Sequence, residues 1–420
     1  MRTGPILLVP AIFLLTMAVI TVAFAQSGSF PSYEAYLSYL GNSPYNKEGD
    51  WTDNAQGISH DEEGYWYITQ KRLLYRVPLG QSLEGNIKNK PGVQRVHIDD
   101  IPQLADLNYD HFGDISVFRL NESISYVLVP VDSGDEDAVM AVFRADETLE
   151  YVGKGAFAGK DGAGGGSYPD CNVGQGEQAG WIAADGDGFV YSSRNTTTAL
   201  RKYEVRWEQV ESSTQPVDDL LLECVDEIPL RDEIGGVLEL ENMQGGVVSP
   251  NNSLIYLTNG VCGSTNAGVH VVNLRTGTRV ARSCQGGEGC LFRYQFDLCT
   301  LGYTHQEPEG ITIWDLDDLV LQGAVANDVD GQLHILLLHN EIDQDNIYIK
   351  HYSDRLYVDD DAGTNGNGRV QSPFNNLSDA LDLAWDGSTI VLIAGNYPGS
   401  FIIDENIRME ARTGLARIGE

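Results

Sequence analysis

Gln244-Gly245-Gly246-Val247-Val248-Ser249-Pro250-Asn251-Asn252-Ser253-Leu254-Ile255-Tyr256-Leu257-Thr258-Asn259 reads as a β-hairpin. A glycine opens a short apolar strand, Pro and Asn make the turn, and a second apolar strand follows. The figure recurs. Gln56-Gly57-Ile58 leads to Tyr65-Trp66-Tyr67-Ile68, and Phe112-Gly113-Asp114-Ile115 leads to Tyr126-Val127-Leu128-Val129. Gly180-Trp181-Ile182 leads to Gly188-Phe189-Val190-Tyr191, and Glu309-Gly310-Ile311 leads to Leu333-His334-Ile335-Leu336-Leu337. The lead glycines 57, 113, 180, 246 and 310 lie about 55 to 67 residues apart. A repeat on that scale with several strands per unit is the signature of propeller blades. The expected fold is all-β: a five-bladed β-propeller, with six blades as the alternative if Leu291–Leu298 adds a degenerate strand.

Composition narrows the setting. The 420 residues carry 61 acidic against 27 basic side chains, a formal charge of -34. Such a surface repels nucleic acid and anionic membranes, and suits cations or neutral ligands such as glycans. Residues 1–25 read as a signal peptide, with Arg2, an apolar run from Ile6 to Val22, and Ala23-Phe24-Ala25 before Gln26. An uncleaved anchor is the alternative reading. No second apolar run is long enough to span a bilayer, so no stable membrane insertion is expected after cleavage. The expected location is secreted, extracellular or periplasmic. Six cysteines, at 171, 224, 262, 284, 290 and 299, all follow the signal. In an exported chain an even number favours disulfides, and six allow 15 pairings. Four of them cluster between Cys262 and Cys299, which predicts local staples there.

The domain order follows. Residues 26–50 form an N-terminal arm rich in tyrosine, and 51–355 form the propeller. The fifth unit shows no outer strand of its own, so an N-terminal segment is expected to supply it and close the ring. Residues 155–180 are a glycine-rich loop without the lysine and helix start of a phosphate-binding loop. Residues 356–420 are a distinct tail.

Aligning the units on their glycines places Gln56, His111, Asp114, Gln178, Gln244, Glu307 and Glu309 near one mouth of the axial channel. Asp114, Glu309 and His111 are the catalytic candidates. Gln56, Gln178, Gln244 and Glu307 are candidate ligand-binding residues. Asp114 and Glu309 are also candidate metal ligands, since oxygen-rich sets of mixed charge suit calcium. An aspartate inside a strand has poor β-propensity, and a positive partner is the simplest expected compensation for Asp114. Glu307-Pro308-Glu309-Gly310 resembles the opening of several extracellular propellers, esterase-like and phytase-like ones among them. No Gly-x-Ser-x-Gly elbow, His-Glu-x-x-His or dinucleotide fingerprint is present in the sequence.

The tail has its own vocabulary. Asp359-Asp360-Asp361-Ala362-Gly363-Thr364-Asn365-Gly366-Asn367-Gly368 precedes Ser372-Pro373-Phe374, a short helix at Leu377–Ala384, and Ile390–Ala394 running into Gly395-Asn396-Tyr397. Two further short strands are expected at Phe401–Ile403 and Ile407–Glu410. The segment resembles the start of a right-handed parallel β-helix of the pectate-lyase-like type. The catalytic carboxylates of that family lie in later coils, so the resemblance implies no lyase activity. Asp359, Asp361, Asn365 and Asn367 put oxygen ligands at alternate positions, which suits a calcium loop other than an EF-hand. Asp185-Gly186-Asp187-Gly188 sits between two strands, where Asp-Gly is a good hairpin turn.

Two functions are compatible with these features. One is an exported binding or scaffolding protein that uses a cation to recognise a glycan or an extracellular protein at the channel mouth. The other is a hydrolase of ester, phosphate or glycosidic bonds using the acidic residues of the same mouth.

Overall fold

The computed structural model describes residues 37–419 apart from 45–46, 49–50, 133–135, 158–170, 172–177, 262–263, 265, 284–298, 301–303, 324, 326–328, 341–345, 385–386 and 404–405. The expected signal peptide, most of the arm, most of the glycine-rich loop and Leu291–Leu298 therefore lie outside the described residues.

Five antiparallel sheets form five blades of a β-propeller. Blade 1 is Ala55–His60, Tyr65–Gln70, Leu73–Pro78 and Gln94–His97. The middle strands are buried on both faces because each blade is sandwiched between two others. Leu254–Asn259 is buried at all six positions, which is why it reads as an apolar run rather than an alternation. One apolar cluster fills each gap between neighbouring blades. Tyr67, Phe112 and Val129 join blades 1 and 2. Phe118, Ile182 and Tyr203 join blades 2 and 3. Trp181 packs with Leu257 between blades 3 and 4, and Tyr256 with Ile335 between blades 4 and 5. Trp66 with Trp314 and Leu336 closes the circle between blades 1 and 5.

The ring closes as the sequence predicts. Ser38–Asn42 pairs antiparallel with Asn346–Ser353 as the outer strand of blade 5. Buried His351 fastens the join, donating from Nε2 to the Ser43 carbonyl at 3.0 Å. One difference concerns blade 2. Its inner strand was expected to run unbroken, but it divides into His111–Phe112 and Ser116–Asn121, with Asp114 between them. Asp114 bridges instead to Trp181 of blade 3.

A disulfide joins Cys171 to Cys224, linking the segment after blade 2 to the outer strand of blade 3. The side chains of the other four cysteines lie outside the described residues, and so does the expected cluster of staples.

The tail is a three-stranded parallel sheet, Arg355–Val358, Thr389–Tyr397 and Arg408–Ile418. Its helix is Leu377–Leu383, capped by the Asn376 side chain, which accepts from the Asp379 amide at 3.0 Å. The two short strands expected at the end are replaced by one long one. Residues 401–403 form no strand, and pairing with Thr389–Tyr397 carries Arg408 on to Ile418. Cations strap the tail to blade 5. Arg369 grips fully buried Asp330 through two nitrogens, at 2.9 and 2.8 Å. Arg355 meets Asp315 at 3.0 Å, and Arg412 pairs with Asp318. Tyr357 donates to Asp317 at 3.1 Å.

Arg369→Ala would leave the Asp330 carboxylate buried without its cation, a change that costs about 3 kcal/mol or more. Amide exchange should accelerate across residues 355–418 while blades 2 to 4 keep their protection. Unchanged exchange in the tail would refute the strap.

Candidate functional site

The inner strands run side by side around the axis, and their residues fall into three levels. The middle level is a hub. Asp114 is 0% exposed. Its Oδ1 accepts the Ile58 amide of blade 1 at 3.0 Å, and its Oδ2 accepts the Gly246 amide of blade 4 at 3.1 Å. The amides of Ile115 and of Ile311 in blade 5 also donate to it. Its own backbone exchanges hydrogen bonds with blade 3, to the Gly180 carbonyl at 2.9 Å and from the Ile182 amide at 3.2 Å. One residue thus binds all five blades. The compensation expected from a positive partner comes from peptide N–H groups instead. Burial pushes its pKa well above the usual carboxylate range, with those amides pulling the other way.

The lead glycines permit this convergence. A Cβ on Gly57 would lie 2.5 Å from the Asp114 Cα, and one on Gly310 would lie 2.7 Å from the Ile58 nitrogen. The axis at this level is filled with backbone and the Asp114 carboxylate.

Above the hub lies a rim, where the structure brings four of the candidate residues together in two pairs. His111 Nε2 meets Gln56 Oε1 at 2.7 Å, and Gln244 Nε2 donates to Glu307 Oε2 at 3.4 Å. Gln178 is exposed and Glu309 is buried. Burial lowers the pKa of His111, and the Lys71 cation lowers it further against the pull of Asp110. Sequence reasoning missed Asp132, which faces His111 across the strand pair. Burial raises its carboxyl to about 6, although the Ala179 amide donates to it at 2.7 Å.

Below the hub a basin of about 450 Å³ opens at the far ends of the inner strands, lined by all five blades. Ser59, His60 and Asp61 come from blade 1, Ser116 and Arg119 from blade 2, and Ala184 and Asp185 from blade 3. Val247, Ser249 and Asn252 come from blade 4, and Thr312 and Ile313 from blade 5. None of these was singled out as a site residue from sequence, yet two of them belong to a legible repeat. Asp61-x-x-Gly64-Tyr65-x-Tyr67 and Asp185-x-x-Gly188-Phe189-x-Tyr191 build the same turn. Asp61 Oδ1 accepts the amides of Glu63 and Tyr65 at 2.9 and 3.0 Å, and Oδ2 accepts the Tyr67 hydroxyl at 2.8 Å. Asp185 repeats this with Asp187, Phe189 and Tyr191 at 3.0, 2.9 and 3.1 Å. Asp185-Gly186-Asp187-Gly188 is therefore the hairpin turn that its sequence suggests.

The basin's chemistry is muted. Both turn aspartates spend their oxygens on the fold. Arg119 is ion-paired with Glu62. His60 hydrogen-bonds Thr312 Oγ1 through Nδ1 at 2.9 Å and stacks on Trp314 with ring centroids 4.5 Å apart. Burial lowers its pKa to about 3, so it is too weak a base to draw a proton from Thr312 at neutral pH.

In the tail, the carboxylates of Asp359, Asp360 and Asp361 lie within 4.8 Å of one another. Asn365 turns elsewhere, donating to Asp379 and accepting the Asn375 amide at 2.9 Å. Asn367 accepts the Arg369 amide at 3.4 Å. The carboxylates grouped here are those of three consecutive aspartates.

No protein family and no curated protein matches the chain. Solved structures resemble it in outline. The Dos1 propeller is 11% identical, with a TM-score of 0.32; the match covers 70% of this chain and 58% of that one. A GH43_1 enzyme from Xanthomonas citri, complexed with xylose, is 11% identical, with a TM-score of 0.38 and coverage of 75% and 90%. The tail fiber of Staphylococcus aureus phage P68 is 12% identical, with a TM-score of 0.36 and coverage of 77% and 54%. The chain thus spans little more than half the length of the first and third. Among the described residues, no helix is long and apolar enough to cross a membrane.

Two outcomes test these levels. Asp114→Asn turns an N–H₂ toward amide donors, and should cost about 3 kcal/mol in urea unfolding; an unchanged midpoint would show that the hub bears no load. Asp132 holds a proton up to about pH 6 in the folded state, whereas the unfolded carboxyl releases it near 4. Stability should therefore fall as pH rises from about 4 to 6, by on the order of 2 kcal/mol, and Asp132→Asn should flatten that slope. An equal slope in both proteins would assign it to other groups.

Proposed function

We propose that this chain is an exported binding protein that receives its ligand in the axial basin without transforming it. The observation that carries this reading is the basin's make-up. All five blades contribute to one cavity, and its buried carboxylates Asp61 and Asp185 are saturated by amides and tyrosine hydroxyls. A volume of about 450 Å³ suits a small ligand or the terminal group of a larger one. The Cys171–Cys224 disulfide supports an oxidising compartment.

A hydrolase working at the opposite rim is the second reading. It is supported by Asp132, with its pKa near 6, facing His111 across one strand pair. Such a carboxyl is suited to acid–base work near neutrality.

Saturation-transfer NMR against a library of glycans and small polar compounds separates the two. Ser125 lines the basin's edge, paired with Arg119 in blade 2, so binding in the basin predicts hits that vanish in Ser125→Trp with the melting temperature unchanged. Hits that survive Ser125→Trp but vanish in Gln56→Ala would move the site to the rim. Turnover of an ester, phosphate or glycoside panel that is abolished by Asp132→Asn would establish the hydrolase instead.

A further inference from the structure

The class of ligand can be read from the first level below the hub, and this inference rests on the basin being the binding site. Ser59 follows Ile58, and Thr312 follows Ile311, the residues whose amides hold Asp114. Ser116 stands two residues after Asp114 itself. Three hydroxyl side chains from adjacent blades 5, 1 and 2 thus line one arc of the basin floor. They are 2%, 7% and 8% exposed, in the order Thr312, Ser59, Ser116. On the facing arc, from blades 3 and 4, Ala184, Val247 and Val248 give aliphatic surface at floor level, below the turn residues Asp185, Gly186, Ser249, Pro250 and Asn252. The floor is therefore divided, with hydrogen-bonding groups on one side and aliphatic surface on the other.

Charge decides what can enter. An anion would meet the field of a chain at -34, and Arg119, the one lysine or arginine among the described lining residues, is already engaged by Glu62. A cation would want a carboxylate with oxygens to spare. On the floor, Asp61 and Asp185 have committed theirs, and the nearby Asp187 accepts from Asn252 at 3.1 Å; of the other lining carboxylates, Glu62 answers Arg119 and Glu63 is exposed on the turn, away from the floor. Displacing those bonds would unpair the turn backbones or Tyr67 and Tyr191, each at the cost of a buried donor left unmet.

We infer that the basin takes a neutral polyhydroxylated ring, a hexopyranoside unit, with its hydroxyl edge toward Ser59, Ser116 and Thr312 and a C–H face against Val247 and Val248. A pyranose has this division of its surface, with hydroxyls around an edge and axial C–H groups on a face. Thr312 already meets His60 and Ser116 Oγ accepts the Ala184 amide at 3.0 Å, but a hydroxyl with one such bond keeps further hydrogen-bonding capacity, which matches a ring that supplies both donors and acceptors.

Calorimetric titration with three probes of one shape tests this: methyl β-glucoside (neutral), glucuronate (anionic) and glucosamine (cationic at neutral pH). The glucoside should bind, and the charged probes should bind at least about tenfold more weakly. Ser59→Ala with Thr312→Val should weaken the glucoside about tenfold, and Thr312→Ser should restore part of the loss in that background; melting temperatures would confirm that all variants fold. If glucuronate or glucosamine binds as well as or better than the glucoside, or if none of the three binds, the neutral-sugar assignment falls. The wider reading of the basin is judged separately, by whether any library compound is lost on Ser125→Trp. A class error and a site error therefore give different results.

Discussion

Five inner strands converge on one aspartate. Gathering peptide amides of different blades onto Asp114 puts a buried carboxyl group where a propeller needs a common centre. The arrangement is costly in desolvation and is tolerated because the oxygens are answered by hydrogen-bond donors already fixed in place. It also requires close approach, which Gly57, Gly245 and Gly310 allow, since a Cβ on any of them would lie within 2.8 Å of an Asp114 atom. The shape of the rest follows. The axis is closed at mid-height, so the molecule has a rim above and a basin below rather than one through-channel.

That closure separates two kinds of chemistry. On the rim, burial shifts titrating groups toward each other, Asp132 upward and His111 downward. In the basin, the carboxylates serve as turn staples, and His60 is held neutral by burial and stacks on Trp314. Polar groups in the basin are thus fixed in orientation, a condition that favours selective binding because little ordering remains to be done when a ligand arrives.

Blade 5 carries the assembly's remaining connections. Its outer strand comes from Ser38–Asn42, and its turn at Asp330 is held by Arg369 of the tail. Chain segments more than 300 residues apart, such as Ser43 and His351, therefore meet in one blade. Such long-range closure keeps the ring from opening at the point where the last blade meets the first.

Much of this could be seen in the residues alone. Glycine-led hairpins at regular spacing predicted a propeller of five blades, with six as the alternative, because each recurs as one short unit of strands that must pack on its neighbours. The missing outer strand of the fifth unit predicted closure from the N-terminus. The Asp-x-x-Gly-[Tyr/Phe]-x-Tyr turns were there to be read as well, as a local hydrogen-bonding pattern that recurs in two blades. Tertiary structure decided the rest. Whether Asp114 faces a cation or a cradle of amides depends on donors contributed by Ile58, Gly246 and Ile311, which no local pattern brings near it. Which end of the axis offers a cavity was equally invisible, since Ser59, Ser116 and Thr312 are ordinary strand residues until three blades set them side by side. Periodicity is a property of neighbours along the chain, whereas a binding site is a property of neighbours in space.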